Sequence, residues 1–302
     1  MTRYTLTMLD EHYRQLRQSL LRDDKEYGAL MLCGRSQQID PWTGVVEERA
    51  LVREVIEVPE DAFLERTVTS MTWSTTPLFQ LAKRAMARDY AICIAHSHPG
   101  GGLYFSSSDN AAEKESFGIV FGRMDTDRPH FAMVMDGNGE ILVRAYGPNL
   151  APHPIELTRI VGDRLVIRYA ERGKGLMLAE FDRQTRVFGA RTTEDLSQLR
   201  VGIVGCGGTG SAVASLLARI GVSRFGLIDI DRVDTTNLNR LVFSTRADAI
   251  SGRHKVDVVA DGIAAVGHQS RRAIAAAEPS FCSTHGPRIW ASNWSEGPGG
   301  KD

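Results

Sequence analysis

The sequence predicts two α/β domains joined in series. Three observations carry that expectation. Along the first half, short apolar runs of strand length alternate with amphipathic stretches of helical period. Within residues 200–230 a strand, a glycine loop, a helix and a second strand follow one another, which is a βαβ unit. Between these patterns Pro148, Pro152 and Pro154 cluster, so a linker is expected over 148–180, with domains at 1–147 and 181–302. A chain of 302 residues has room for one large or two medium domains.

The elements follow in order. Residues 6–21 are expected to be helical, since Leu9, Tyr13, Leu16 and Leu20 recur near helical spacing with Asp and Arg between them. Residues 27–33 form an apolar run that stops at Gly34 and reads as a buried strand. Residues 50–58 read as another strand, with partial alternation. Pro77 opens a helix whose apolar positions include Leu78, Leu81, Ala82 and Ala85. Residues 90–95 are a buried strand that runs straight into His96. Residues 131–136 and 140–145 form a hairpin around Asp136-Gly137-Asn138-Gly139. Residues 165–169 are strand-like, and 173–175 contain two glycines. Residues 200–204 and 225–230 are strands, with a helix ending near residue 220 between them.

Composition narrows the function classes. At 42% hydrophobic and 24% charged residues the chain is of ordinary globular type. With 36 basic and 37 acidic side chains its net charge is -1, which gives no electrostatic case for a nucleic acid or an anionic membrane surface. No apolar run approaches the roughly 18 residues that span a bilayer, and the first residues lack the apolar core of a signal peptide. Cys33, Cys93, Cys206 and Cys282 are scattered and match neither a zinc knuckle nor a disulfide framework, so a reducing cytoplasm is expected. Cys33 and Cys93 sit in apolar strands and read as inert core residues.

The string from His96 to Asp109 carries the first chemistry. Histidines at i and i+2 of an extended segment point the same way, so His96 and His98 can share one metal. Asp109 adds a hard oxygen after a glycine-rich turn that can fold back. Two imidazoles and a carboxylate leave a fourth position for water, as catalytic zinc requires. His12, His130 and His153 lack partners at ligand spacing and read as surface or structural groups. The string resembles the JAMM motif H-x-H-x7-S-x2-D of the JAB/MPN zinc isopeptidases at every specified position, and Pro99 also suits that family. The resemblance implies a mixed sheet with flanking helices and bound Zn2+. The segment Glu26-Tyr27-Gly28-Ala29-Leu30 is similar to the surroundings of the family's general base. By that resemblance Glu26 takes a proton from the zinc-bound water and passes it to the leaving amine, and Ser106 donates to the oxyanion.

The loop Gly205-Cys206-Gly207-Gly208-Thr209-Gly210 carries the second. Its glycines permit a tight turn and close approach of phosphate to a helix N-terminus, and Asp229 at the end of the next strand is placed for a ribose hydroxyl. Alone this pattern fits NAD equally well. Downstream, Asp229-Ile230-Asp231, Asn237-Leu238-Asn239-Arg240 and Gly252-Arg253-His254-Lys255 resemble the ThiF/MoeB/ubiquitin-activating family, which adenylates the C-terminal glycine of ubiquitin-like proteins. The resemblance implies a Rossmann-like doubly wound sheet that binds ATP and Mg2+. Gly205, Gly207, Gly208, Asp229 and Asp231 would hold the nucleotide, with Asn237, Arg240 and Lys255 around the triphosphate. Phe181-Asp182-Arg183-Gln184 resembles the entry segment in which an arginine reaches ATP in the dimer partner, which makes Arg183 a further nucleotide residue and leaves a homodimer open.

After Gly267 the family pattern is expected to stop, with no further strand and an incomplete sheet whose exposed edge would make the domain poorly stable alone. Cys282 lies too soon after Lys255 for the family's catalytic cysteine and reads as incidental. Together the two resemblances imply a peptidase that trims or deconjugates a ubiquitin-like or sulfur-carrier protein, coupled to an adenylation domain for the same tail. The alternatives are a second half that only binds carrier or nucleotide, a non-catalytic scaffold, or a peptidase of broader range.

Overall fold

The computed structural model describes residues 2–40, 44–169, 181–266 and 269–273. They fall into two compact units, one containing the described residues up to 169 and the other those from 181.

In chain order the first unit comprises β1 (Thr2–Leu9), α1 (Asp10–Leu20), β2 (Gly28–Ile39), β3 (Val46–Glu57), β4 (Phe63–Arg66), β5 (Met71–Trp73), α2 (Thr76–Met86), β6 (Ala91–His98), α3 (Ser107–Met124), β7 (His130–Asp136), β8 (Ile141–Tyr146), β9 (Pro152–Pro154), β10 (Leu157–Val161) and β11 (Leu165–Tyr169). Nine strands form one mixed sheet in the order β11-β10-β1-β3-β2-β6-β7-β8-β9, and β4 and β5 make a separate hairpin. β1 runs parallel to β3 and β10, and β6 runs parallel to β7. The remaining pairings of the sheet are antiparallel.

The period of two along the strands divides the core into two layers. Ala29, Met31 and Cys33 of β2 and Ala91, Cys93 and Ala95 of β6 pack with Leu16 and Leu20 of α1 on one face. Leu30, Leu32, Ile92 and Ile94 pack on the other face, with Leu78, Leu81 and Ala85 of α2 and Phe117 and Val120 of α3. Because the sheet is covered on both sides, β2 and β6 read as continuous apolar runs rather than alternating ones. His96 and His98 share the parity of Ile92 and Ile94, which sends both toward α2 and α3.

Two expectations are corrected here. Residues 2–9 are a strand, so the helix begins at Asp10 instead of residue 6. Leu6 and Met8 alternate into the core from a strand flanked by β3 and β10, whereas Leu9 at the junction is out of that period and exposed. Part of the segment expected to be linker continues the sheet. β9 pairs with β8, β10 pairs with β1, and β11, expected as a strand, pairs with β10. β10 lies beside the first strand of the chain, a pairing across the whole domain that local proline content does not reveal.

The second unit contains α4 (Asp182–Phe188), α5 (Ala190–Gln198), β12 (Arg200–Val204), α6 (Gly208–Arg219), β13 (Arg224–Ile228), α7 (Arg246–Ser251), α8 (Lys255–Ala265) and β14 (Gln269–Ala273). The strands make a parallel sheet in the order β12-β13-β14, with α6 and α8 in the two crossovers. Ile203, Phe225 and Leu227 of the sheet pack with Ala214 and Ala218 of α6 and Val256, Val259 and Ile263 of α8. β14 corrects the expectation that the strand pattern stops after Gly267. Its sequence, Gln-Ser-Arg-Arg-Ala, has no apolar alternation, and its place beside β13 is a matter of pairing. Cys282 lies outside the described residues.

Candidate metal centre and glycine loop

The candidate metal centre is assembled from three elements of the first unit. β6 supplies His96 and His98 from its C-terminal end. The loop before β2 supplies Glu26, fixed by its N–H donating to Thr67 O at 2.9 Å in the turn between β4 and β5. The next residue, Tyr27, is sewn to β6, because its N–H donates to Ser97 Oγ at 3.0 Å and its carbonyl accepts from Ser97 N at 3.1 Å. Ser97 points away from the histidines and is fully buried, which is why a serine between them does structural work. The third element is the first turn of α3. Ser106 is its N-cap, and Ser106 and Asp109 form a reciprocal capping box. Ser106 N donates to Asp109 Oδ2 at 2.6 Å, and Asp109 N donates to Ser106 Oγ at 3.1 Å.

These pieces meet at one point. His96 Nε2 lies 3.4 Å from Asp109 Oδ1, and His98 Nε2 lies 3.4 Å from Asp109 Oδ2. One ligand atom from each of the three residues falls within 4.8 Å of the others. Glu26 Oε1 stands 3.9 Å from His98 Nε2. Glu26, His96 and His98 are all buried, and Asp109 is partly so. The residues fit a divalent metal on an observation of their own, since His96 Nε2 is buried without a hydrogen-bond partner, a costly state for a polar atom that a metal would relieve. His98 Nδ1 lies 3.4 Å from Gly102 O, a contact that with Nδ1 protonated leaves the Nε2 lone pair for coordination.

The electrostatics follow from this crowding. Burial raises the Glu26 carboxyl above its ordinary value, the two imidazoles oppose that rise, and Asp109 adds to it. Burial pushes Asp109 the same way, but the close imidazoles of His96 and His98 hold it well below the usual carboxylate range. The nearby Asp109 carboxylate in turn raises His98.

Sequence reasoning missed α3 itself and the side chains behind the site, Glu113 and Arg144, which form a buried ion pair. The signal for α3 is its capping box, Ser106 followed three residues later by Asp109. His130 is fully buried, and its Nδ1 accepts from Ile92 N at 3.0 Å, a structural role.

In the second unit the glycine loop leads from β12 into α6. Gly207 is the N-cap of α6 and offers no side-chain cap, so the first N–H groups of the helix are open to an anion. Asp229 binds the loop, its Oδ2 accepting from Cys206 N at 2.6 Å and its Oδ1 from Asp231 N at 2.8 Å. Lys255 Nζ pairs with Asp231 Oδ2 at 2.6 Å. The Arg240 side chain lies over Gly208, within 3.1 Å of where a Cβ would stand. Asn237 Oδ1 accepts from Asp234 N at 3.2 Å and caps a short turn. Arg183 is exposed on α4. Gly210, outside the expected nucleotide set, proves sterically decisive, since a Cβ there would stand 1.8 Å from Gly205 O.

Residues 8–145 match the family described as prokaryotic homologs of the JAB domain, and residues 181–283 match the ThiF family. The chain joins a JAB-like domain to a ThiF-family domain. The ThiF match runs through β14 and beyond the point where the sequence pattern was expected to stop. The chain is 40% identical over 88 residues to the tRNA threonylcarbamoyladenosine dehydratase of Bacillus subtilis (strain 168), covering 29% of this chain and 34% of that protein. It is 34% identical over 92 residues to the adenylyltransferase and sulfurtransferase MOCS3 of Danio rerio, covering 30% and 18%. It is 39% identical over 67 residues to the ubiquitin-like modifier-activating enzyme 5 of Bombyx mori, covering 22% and 16%. The chain thus spans about a third or less of the length of these relatives. No helix among the described residues is long and apolar enough to cross a membrane.

Proposed function

We propose that the JAB-like domain is a zinc-dependent isopeptidase or peptidase that trims or deconjugates a ubiquitin-like or sulfur-carrier protein. The observation that carries this reading is the convergence of His96, His98 and Asp109, with Glu26 beside them. Zinc held by the three ligands would supply Lewis acidity toward the scissile carbonyl and lower the pKa of water. Glu26 is the general base, taking a proton from the attacking water and handing it to the leaving amine. Its raised pKa suits that exchange, because a base closer to the working pH both accepts and returns a proton readily. Ser106 Oγ is oriented by the Asp109 N–H and lies 2.8 Å from Ser108 Oγ. With Ser108 as donor in that contact, Ser106 keeps its own proton for the oxyanion.

The ThiF-family domain binds ATP with Mg2+ and adenylates the same C-terminal tail. The open N-terminus of α6 takes phosphate, and Asp229 takes a ribose hydroxyl. Asp231, Asn237, Arg240 and Lys255 line the triphosphate, and Arg183 reaches the nucleotide of a partner copy. Names among the relatives that speak of adenylyl transfer, sulfur transfer and ubiquitin-like modifiers support this substrate class. A tail shared by both domains gives a physical reason to join them.

The test measures zinc content and cleavage of a C-terminally extended ubiquitin-like or sulfur-carrier protein. Wild type should bind about one zinc, as a single three-ligand site implies, and cleave. Glu26→Gln should keep zinc and lose cleavage, and His98→Ala should lose both. A wild-type protein without zinc sinks the metal reading, and one that binds zinc yet cuts no carrier sinks the substrate class.

A further inference from the structure

β8 carries one charged side chain into the core. Arg144 shares the parity of Tyr146, so it faces α3, and it is only 8% exposed. Its Nε donates to Glu113 Oε2 at 2.8 Å, and a second guanidinium nitrogen lies 2.7 Å from the same oxygen. The third nitrogen donates to Asn110 Oδ1 at 2.6 Å. The guanidinium carbon sits 3.7 Å from the centroid of the Phe105 ring, and that ring centroid is 6.2 Å from that of His96.

The sequence positions of these partners matter. Phe105 directly precedes Ser106, Asn110 directly follows Asp109, and Glu113 lies one helical turn beyond Asp109. One guanidinium therefore grips the chain on both sides of the segment that carries Ser106 and Asp109. Its planar fork sets direction as well as distance, which a lysine could not do. Stability is a poor reason for the arrangement, because a buried ion pair is often replaced by apolar side chains of similar volume at no cost. Geometry is the better one.

We propose that Arg144 is a positioning residue of the metal centre, holding the first turn of α3 so that Asp109 meets His96 and His98. This inference rests on the metal-binding reading of those ligands. The full-length chain is compared with Arg144→Met/Glu113→Leu, which removes both charges together, and with Arg144→Lys. Three quantities are read: zinc affinity by competition with a chelator, the visible spectrum of the cobalt(II)-loaded protein, and melting in chelator.

The double variant should melt as wild type does, bind zinc about 10- to 100-fold more weakly, and give an altered cobalt spectrum. Arg144→Lys should fall between the two. A double variant that melts normally, with wild-type zinc affinity and cobalt spectrum, overturns the proposal. If the double variant does not fold, Phe105→Leu carries the test, since it leaves the ion pair and removes the ring. An altered cobalt spectrum with normal melting supports the clamp, and an unchanged spectrum overturns it. A wild-type protein that takes up neither zinc nor cobalt overturns the metal reading as well, an outcome distinct from failure of the variants alone.

Discussion

Gly137→Ala tests how far the candidate metal centre depends on a contact outside it. Gly137 sits in the turn between β7 and β8, where Asp136 pairs with His98. A Cβ on Gly137 would stand 2.2 Å from Pro99 O, whereas real Cβ contacts are essentially never closer than 3.0 Å. One side must therefore move by at least 0.8 Å, the difference between those two distances. The turn is the stiffer side. Asp136 Oδ1 accepts from Asn138 N and Glu140 N at 2.9 and 2.8 Å, and Gly139 O accepts from the Tyr13 hydroxyl at 2.7 Å. Pro99 is followed by three glycines, with the Gly101 N–H to His98 O bond at 3.1 Å bridging it. The displacement should fall on Pro99 and pass to His98 beside it. A misplacement near 1 Å in an active site costs about 100-fold in rate, so carrier cleavage should fall by about that factor and zinc affinity with it. The assay is cleavage rate and chelator competition, with Gly122→Ala as control. Gly122 lies in α3 with nothing within 4 Å of a Cβ, so that change should stabilise the protein by about 0.5–1 kcal/mol and leave both readouts alone. Wild-type zinc affinity and cleavage in Gly137→Ala would refute the reasoning.

Three further outcomes are expected. Gly210→Ala should abolish ATP binding measured by calorimetry, since its Cβ would stand 1.8 Å from Gly205 O and the loop could not close; undiminished binding would count against the glycine loop as the nucleotide site. Burial favours the neutral form of the Glu47 carboxyl, but Arg49 and Arg3 bring it down to about 2. Its folded pKa is thus below its unfolded one, so its stabilisation is present above roughly pH 4.3 and is lost as pH falls toward 2. Urea unfolding across that window should show Glu47→Gln losing less stability with acid than wild type, and parallel curves would contradict it. Burial pushes the Cys33 and Cys206 thiols up to about 12 and Cys93 well above its ordinary value. The native protein should therefore resist iodoacetamide at all three, as read by peptide mass spectrometry, and react on unfolding.

Much of the candidate site was legible in the sequence because its geometry is local. Histidines two apart on a strand share a face, and Ser106 and Asp109 sit three apart in a capping box. The glycine loop was legible for the same reason, being one continuous turn between a strand and a helix. Elements stabilised by distant partners were hidden. β14 has no apolar alternation and exists by pairing with β13. β10 joins β1 from the other end of the domain. Arg144 looks like any charged residue on a strand until α3 closes over it.

The sequence by itself determined the two-domain order, the strands that bury both faces, and the residue types at the candidate metal centre and glycine loop, because each is written within a few residues of chain. Tertiary structure alone decided the 3.9 Å separation of Glu26 from His98, that Gly137 yields space to Pro99 O, and that Arg144 grips the start of α3. Those contacts join segments tens of residues apart. Their existence depends on the register of the sheet and the packing of α3 upon it, which no local period encodes.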